Sequence, residues 1–174
     1  RIISNLPFDL TDDQKQSLNE INNDISSSNK MFRLLQGDVG SGKTIVALLA
    51  AFNTINANFQ VAFMAPTEIL AKQHFDLAKK VFRSTKINIQ FLTGKSKSSD
   101  KKIIQNDLLE GKINFLIGTH ALFQKNVKFK NLGLAIIDEQ HKFGVKQRIE
   151  LANKGGEDCD ILLMSATPIP RTLI

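Results

Sequence analysis

Six short apolar runs punctuate the chain, at residues 32–36, 60–64, 87–91, 113–117, 132–137 and 161–164. Most are apolar at nearly every position, Arg33 being an exception, whereas the third alternates through Ile87, Ile89 and Phe91. Short strands that are apolar on both faces and separated by helices belong to a parallel sheet covered on both sides. The intervening stretches change to helical spacing. Ile45, Val46, Leu48, Leu49, Phe52 and Ile55, with alanines between them, predict a helix over 43–56 that is apolar nearly all round and therefore buried. Thr67 caps a helix predicted over 68–82, with Leu70, Leu77, Ala78, Val81 and Phe82 at its spacing. Another, over 99–110, stops at Gly111, placed as a C′ glycine. Upstream, Leu6-Pro7-Phe8 is held extended by its proline. Thr11 and Gln14 then form a capping box that opens a helix to about Ile25. The predicted class is α/β, three layers with a mostly parallel sheet in the middle.

In such sheets ligand groups gather at the carboxyl ends of the strands, and polar stretches close the runs where that rule requires them. The first is Gly37-Asp38-Val39-Gly40-Ser41-Gly42-Lys43-Thr44, at a strand-to-helix junction. Its spacing is GxxxxGK[ST], the phosphate loop. Glycines let the backbone turn and approach a phosphate closely. Loop N–H groups and the first helical turn form a concave anion site. Lys43 then reaches the β- and γ-phosphates of ATP, and Thr44 offers a hydroxyl to Mg²⁺. A glycine-rich turn before an ordinary helix is the plainer reading, but a chance match in a chain this long is on the order of 1%.

Asp138-Glu139 closes the run at 132–137. One carboxylate at a strand end can hold Mg²⁺, directly or through water, and the next can polarise a water for attack on the γ-phosphate. Adjacent acids at a strand terminus are often merely solvated; beside a phosphate loop they carry more meaning. Gly118-Thr119-His120, Ser165-Ala166-Thr167 and Ala65-Pro66-Thr67 are individually weak, each compatible with an ordinary turn or helix start. Lys125, Lys128 and Lys130 alternate with Val127 and Phe129 and read as a solvated strand edge.

Composition narrows the classes. At 174 residues the chain is one domain's worth, able to bury roughly 70% of its unfolded surface. No apolar run approaches the roughly 20 residues of a membrane span, and no signal-peptide pattern opens the sequence, so no membrane partner and a cytoplasmic setting are expected. The single Cys159 excludes an internal disulfide, and His74, His120 and His141 have no metal-ligand spacing. A net charge of +6 hints at a polyanionic partner.

The order of the closing stretches is more specific than any one of them. The chain resembles the first motor domain of superfamily 2 nucleic-acid helicases, with GDVGSGKT as motif I, APTEILAKQH as Ia and LTGK as the TxGx element. IGTHALFQ then matches motif Ib, IIDEQH motif II, and MSATPIPRTL motif III. Within that group it is most similar to the bacterial family that remodels stalled replication forks and branch-migrates junctions. Leu6-Pro7-Phe8 with Leu10-Thr11 and Gln14, Gly37-Asp38-Val39-Gly40, Asp138-Glu139-Gln140-His141 with Phe143-Gly144-Val145, and Pro168-Ile169-Pro170-Arg171 carry this closer likeness. The transcription–repair coupling factor is similar at most of these stretches but usually reads Asp-Glu-Glu-His, so the choice rests mainly on Gln140. Lys142 departs from the family's usual Arg, keeping the charge but losing the bidentate fork.

The resemblance implies a RecA-like P-loop NTPase fold, ATP and Mg²⁺ as cofactors, and branched and duplex DNA as partners. It places Phe8 and Gln14 at the adenine. Gln140 and His141 become a relay towards Ser165 and Thr167, and Thr67, Thr93, Gly94, Thr119 and His120 lie in elements that touch the DNA backbone. It further implies a second motor domain and a wedge domain outside these residues, a monomeric enzyme, and little hydrolysis by the segment alone. Two other classes compete. A P-loop kinase or signalling NTPase leaves APTEILAKQH and SATPIPRT unexplained, and a nucleotide-gated module that never hydrolyses has little use for Glu139.

Overall fold

The computed structural model describes residues 15, 16, 18, 19, 32–36, 41–139 and 159–165. Six strands form one sheet: β1 (Phe32–Gln36), β2 (Gln60–Met64), β3 (Ile89–Leu92), β4 (Phe115–Gly118), β5 (Leu132–Glu139) and β6 (Asp160–Ser165). Their spatial order is β1-β6-β5-β2-β4-β3, and every pairing between neighbours is parallel. Three helices connect them: α1 (Ser41–Asn56), α2 (Glu68–Val81) and α3 (Ser98–Leu109). A 3₁₀ turn (His120–Phe123) follows β4. This is the three-layer α/β architecture expected, with its sheet wholly parallel among the described strands.

Strand alternation sorts the core into two clusters, one on each face of the sheet. Val61, Phe63, Phe115, Ile117, Leu134 and Ile136 join α1 and the Ala78, Val81 and Phe82 end of α2. Ala62, Met64, Leu116, Ala135 and Ile137 join Ile104 and Leu108 of α3 on the other face. Helix α1 is buried from Lys43 through Ala51, as its nearly unbroken apolar surface requires. The predicted cap is present: Leu70 N–H donates to the Thr67 hydroxyl at 3.2 Å. Gly111 follows the end of α3 at φ 81°, a conformation that L side chains rarely adopt, so glycine fits this C′ position.

Boundaries moved by a residue or two, as at β4, which begins at Phe115 rather than at 113. The strand read at Lys125–Lys130 is a correction, because that segment is irregular. Val127 and Phe129 do point inward and the lysines outward. No ladder is open to them at β5, however, because β2 and β6 already occupy both its edges. The segment instead seals the second core cluster. Of the helix predicted from Thr11, only Lys15, Gln16, Leu18 and Asn19 are described, and they are helical. Among the described residues no helix is long and apolar enough to cross a membrane.

Candidate functional site

The sheet register puts three of the motif-bearing strand ends side by side. Gln36, the last residue of β1, pairs with Ser165 at the end of β6, and Ser165 pairs with Glu139 at the end of β5. Helix α1 begins at Ser41, just beyond β1, so Lys43 and Thr44 lie in its first turn. Both are buried, at 9% and 5% exposure, and Asp138 at 6%. Burial lowers the Lys43 ammonium below its ordinary pKa, while the Asp138 carboxylate pulls it back up. A buried cation, a buried hydroxyl and a buried carboxylate at one corner of a parallel sheet form a donor set that suits a nucleotide phosphate with its Mg²⁺. Lys43 would meet phosphate oxygens, and Thr44 and Asp138 would hold the metal.

Asp138 has a partner that spacing did not foretell. His74 of α2 approaches it with Nε2 2.7 Å from Oδ2, both side chains about nine-tenths buried. The imidazole lies against the Phe63 ring with centroids 4.6 Å apart and planes 27° from parallel. Among the described residues no cluster of three or more His, Cys, Asp or Glu could hold a metal. His74 acts here as a carboxylate partner. It sits in the APTEILAKQH stretch, and no periodicity distinguishes it from an ordinary inward-facing helix residue.

The remaining strand ends, of β2, β4 and β3, make the other half of the edge. Ala65 N–H donates to Gly118 O at 2.9 Å, and Thr119 N–H to Leu92 O at 3.3 Å, tying the three exits together. Thr67, Gly94 and His120 are exposed here, whereas Thr93 and Thr119 are buried at 4% and 8%. The Thr93 hydroxyl already accepts from Lys95 N–H at 3.3 Å. The exposed Thr67 hydroxyl likewise accepts, from Leu70 N–H at 3.2 Å, and a hydroxyl that accepts keeps its own proton to donate; burial is what distinguishes Thr93 and Thr119 from Thr67. A groove of about 490 Å³ opens between α2 and β3, with Lys72, Thr93 and Lys95 among its lining residues. Both lysines lie inside matched motifs, and each pairs with an acid of the same groove, Lys72 with Asp76 at 3.1 Å and Lys95 with Glu68 at 3.6 Å.

Phe8, Gln14, Gly37, Asp38, Val39, Gly40, Gln140, His141 and Thr167 lie outside the described residues. For Ser41, Gly42, Glu139 and Ser165 the backbone alone is described, at a helix start and two strand ends.

The DEAD/DEAH box helicase family model matches residues 11–173. The chain belongs to the DEAD/DEAH box helicase family. Its relatives within that family include ATP-dependent DNA helicase RecG of Borreliella burgdorferi, 53% identical over 172 residues, which are 99% of this chain and 25% of that protein. RecG of Thermotoga maritima is 54% identical over 171 residues, 98% of this chain and 22% of that protein. The chain thus spans about a quarter of the length of the RecG helicases it matches. A solved structure of RecG bound to a three-way DNA junction superposes with a TM-score of 0.86 at 51% identity, over 99% of this chain and 23% of that one. The DEAD-box helicase Mss116, at 22% identity and TM-score 0.75 over 97% of this chain and 37% of its own, shares the fold. The chain is RecG-like, as its motif order implied, and its fold is RecA-like.

Proposed function

We propose that this chain is the ATP-binding motor domain of a DNA helicase that couples ATP hydrolysis to duplex translocation, branch migration and remodelling of stalled forks. The observation that carries the reading is the division of one carboxyl edge into two halves. Phosphate-binding and acidic groups close β1 and β5, and turns rich in hydroxyls and lysines close β2 and β3. The likeness to RecG bound to a three-way DNA junction supports junctions as the substrate. A Mg²⁺ held by Thr44 and Asp138 would neutralise phosphate charge. Lys43 would bind the β- and γ-phosphates, and Glu139 would take a proton from the attacking water. Phe8 and Gln14 would contact adenine, and Gln140 and His141 would pass nucleotide state to Ser165 and Thr167. Thr67, Gly94 and His120 would meet DNA phosphates, which position a duplex without reading its sequence.

A second motor domain supplying arginines, a wedge domain that recognises forks, and a cytoplasmic, monomeric enzyme complete the proposal. An arginine supplied across such a cleft is worth about 10³ to 10⁵ in rate, so residues 1–174 alone should turn ATP over negligibly. The test is ATP turnover by the full-length protein without DNA, and with single strands, linear duplex or a three- or four-way junction. Strongest stimulation by junctions is expected. Equal stimulation by linear duplex would favour a simple duplex translocase such as the coupling factor, and no response to any DNA would refute the helicase reading.

A further inference from the structure

The geometry points to His74 as a positioning residue for Asp138, holding one carboxylate oxygen so that the other is presented to the metal that accompanies the nucleotide. The inference rests on the reading of Asp138 as the metal-holding carboxylate. An ionised carboxylate only accepts hydrogen bonds, so Nε2 of His74 carries the proton and donates it to Oδ2. The bond is 2.7 Å long, shielded from water, and joins elements 64 positions apart in sequence. The donor is itself fixed: its ring lies on Phe63, which is fully buried in β2, the strand beside β5. Without that bond Asp138 would answer chiefly to Lys43, whose charge attracts it. A carboxylate turned towards the lysine is a poor metal ligand. Holding Oδ2 on the α2 side would keep that oxygen from turning to Lys43 and leave the second oxygen of Asp138 for the metal. Partners of this kind, one shell out from the metal, set ligand orientation, and their loss typically weakens metal affinity about 10–100-fold.

The test is Mn²⁺ affinity of the full-length protein with ADP, read by electron paramagnetic resonance, with ADP binding in EDTA measured in parallel. His74→Phe keeps a ring against Phe63 and removes the donor. His74→Asn withdraws the donor towards the backbone, and His74→Gln returns an amide N–H to about the reach of Nε2. Mn²⁺ affinity should fall about 10–100-fold in the Phe and Asn variants and recover to within about threefold of wild type in the Gln variant. Metal-free ADP binding should be unchanged in all three. Unchanged Mn²⁺ affinity in the Phe and Asn variants overturns the inference, and so does a Gln variant as weak as they are. If the Phe variant does not fold, the contrast between Asn and Gln decides. Asp138→Asn tests the underlying reading separately. Should it leave Mn²⁺ affinity intact, Asp138 is not the metal carboxylate; should it weaken binding while His74→Phe does not, only the role of His74 falls.

Discussion

Glu139→Gln in the full-length protein should lower DNA-stimulated kcat for ATP hydrolysis by about 10²–10⁴-fold while leaving nucleotide binding intact. The substitution keeps shape and removes the base. Glu139 ends β5 in register with Ser165, which is itself in register with Gln36 at the mouth of the phosphate loop. The proposed function makes it the base for the attacking water, one residue beyond the buried Asp138. The loss amounts to about 3–5 kcal/mol of transition-state stabilisation at 1.36 kcal/mol per decade. Lys43→Ala provides the contrast, because it removes a group proposed to touch phosphate in the ground state as well. Nucleotide affinity should fall in that variant together with turnover. Steady-state hydrolysis with saturating junction DNA, paired with fluorescent-nucleotide titrations, separates the two. A Glu139→Gln enzyme that keeps more than a tenth of wild-type turnover would remove Glu139 from the base role.

Gly118→Ala should destabilise the domain by about 3 kcal/mol, at the upper end of overpacking costs. A Cβ at Gly118 would be driven onto the carbonyl oxygen of Leu92, with Leu122 Cδ2 at 3.4 Å on another side. The obstacle is backbone, so no side-chain rotation relieves it, and the paired ends of β3 and β4 must part. At roughly 2–4 °C per kcal/mol for domains of this size, the thermal transition should fall by about 6–12 °C. Scanning calorimetry on wild type and variant would measure this. A change under about 2 °C would mean that the two strand ends are less closely joined than their register indicates.

Much of this was legible in the sequence because the signals were local. The GxxxxGK[ST] spacing, the Thr67 cap and the Gly111 stop depend on residues within a few positions of each other, and the apolar runs mark strands buried on both faces. Strand order is different. Nothing near Phe32 announces that β1 lies beside β6, because that pairing arises from which faces pack best once all strands exist. The same holds for His74, whose partner is supplied from another element. Val127 and Phe129 show the opposite failure. Their alternation was real, but it marks the inward and outward side chains of an irregular segment whose apolar residues join the second core cluster.

The strand order also bears on how the domain is assembled. Among the described strands β1 has a single neighbour, β6, and Phe32 meets Ile161 across about 130 positions of chain. By contrast, β3 and β4 join across about 26 positions, Ile89 to Phe115. Loop-closure entropy grows as about (3/2)RT ln n, so fastening the phosphate-loop strand costs about 1.4 kcal/mol more than fastening that pair. Contacts so distant in sequence also form slowly. During refolding, amides of β1 should gain protection from hydrogen exchange after those of β3 and β4; earlier protection of β1 would contradict this. The half of the edge proposed to meet DNA can therefore be built from a contiguous stretch of chain. The half proposed to hold the nucleotide exists only after distant segments have found each other.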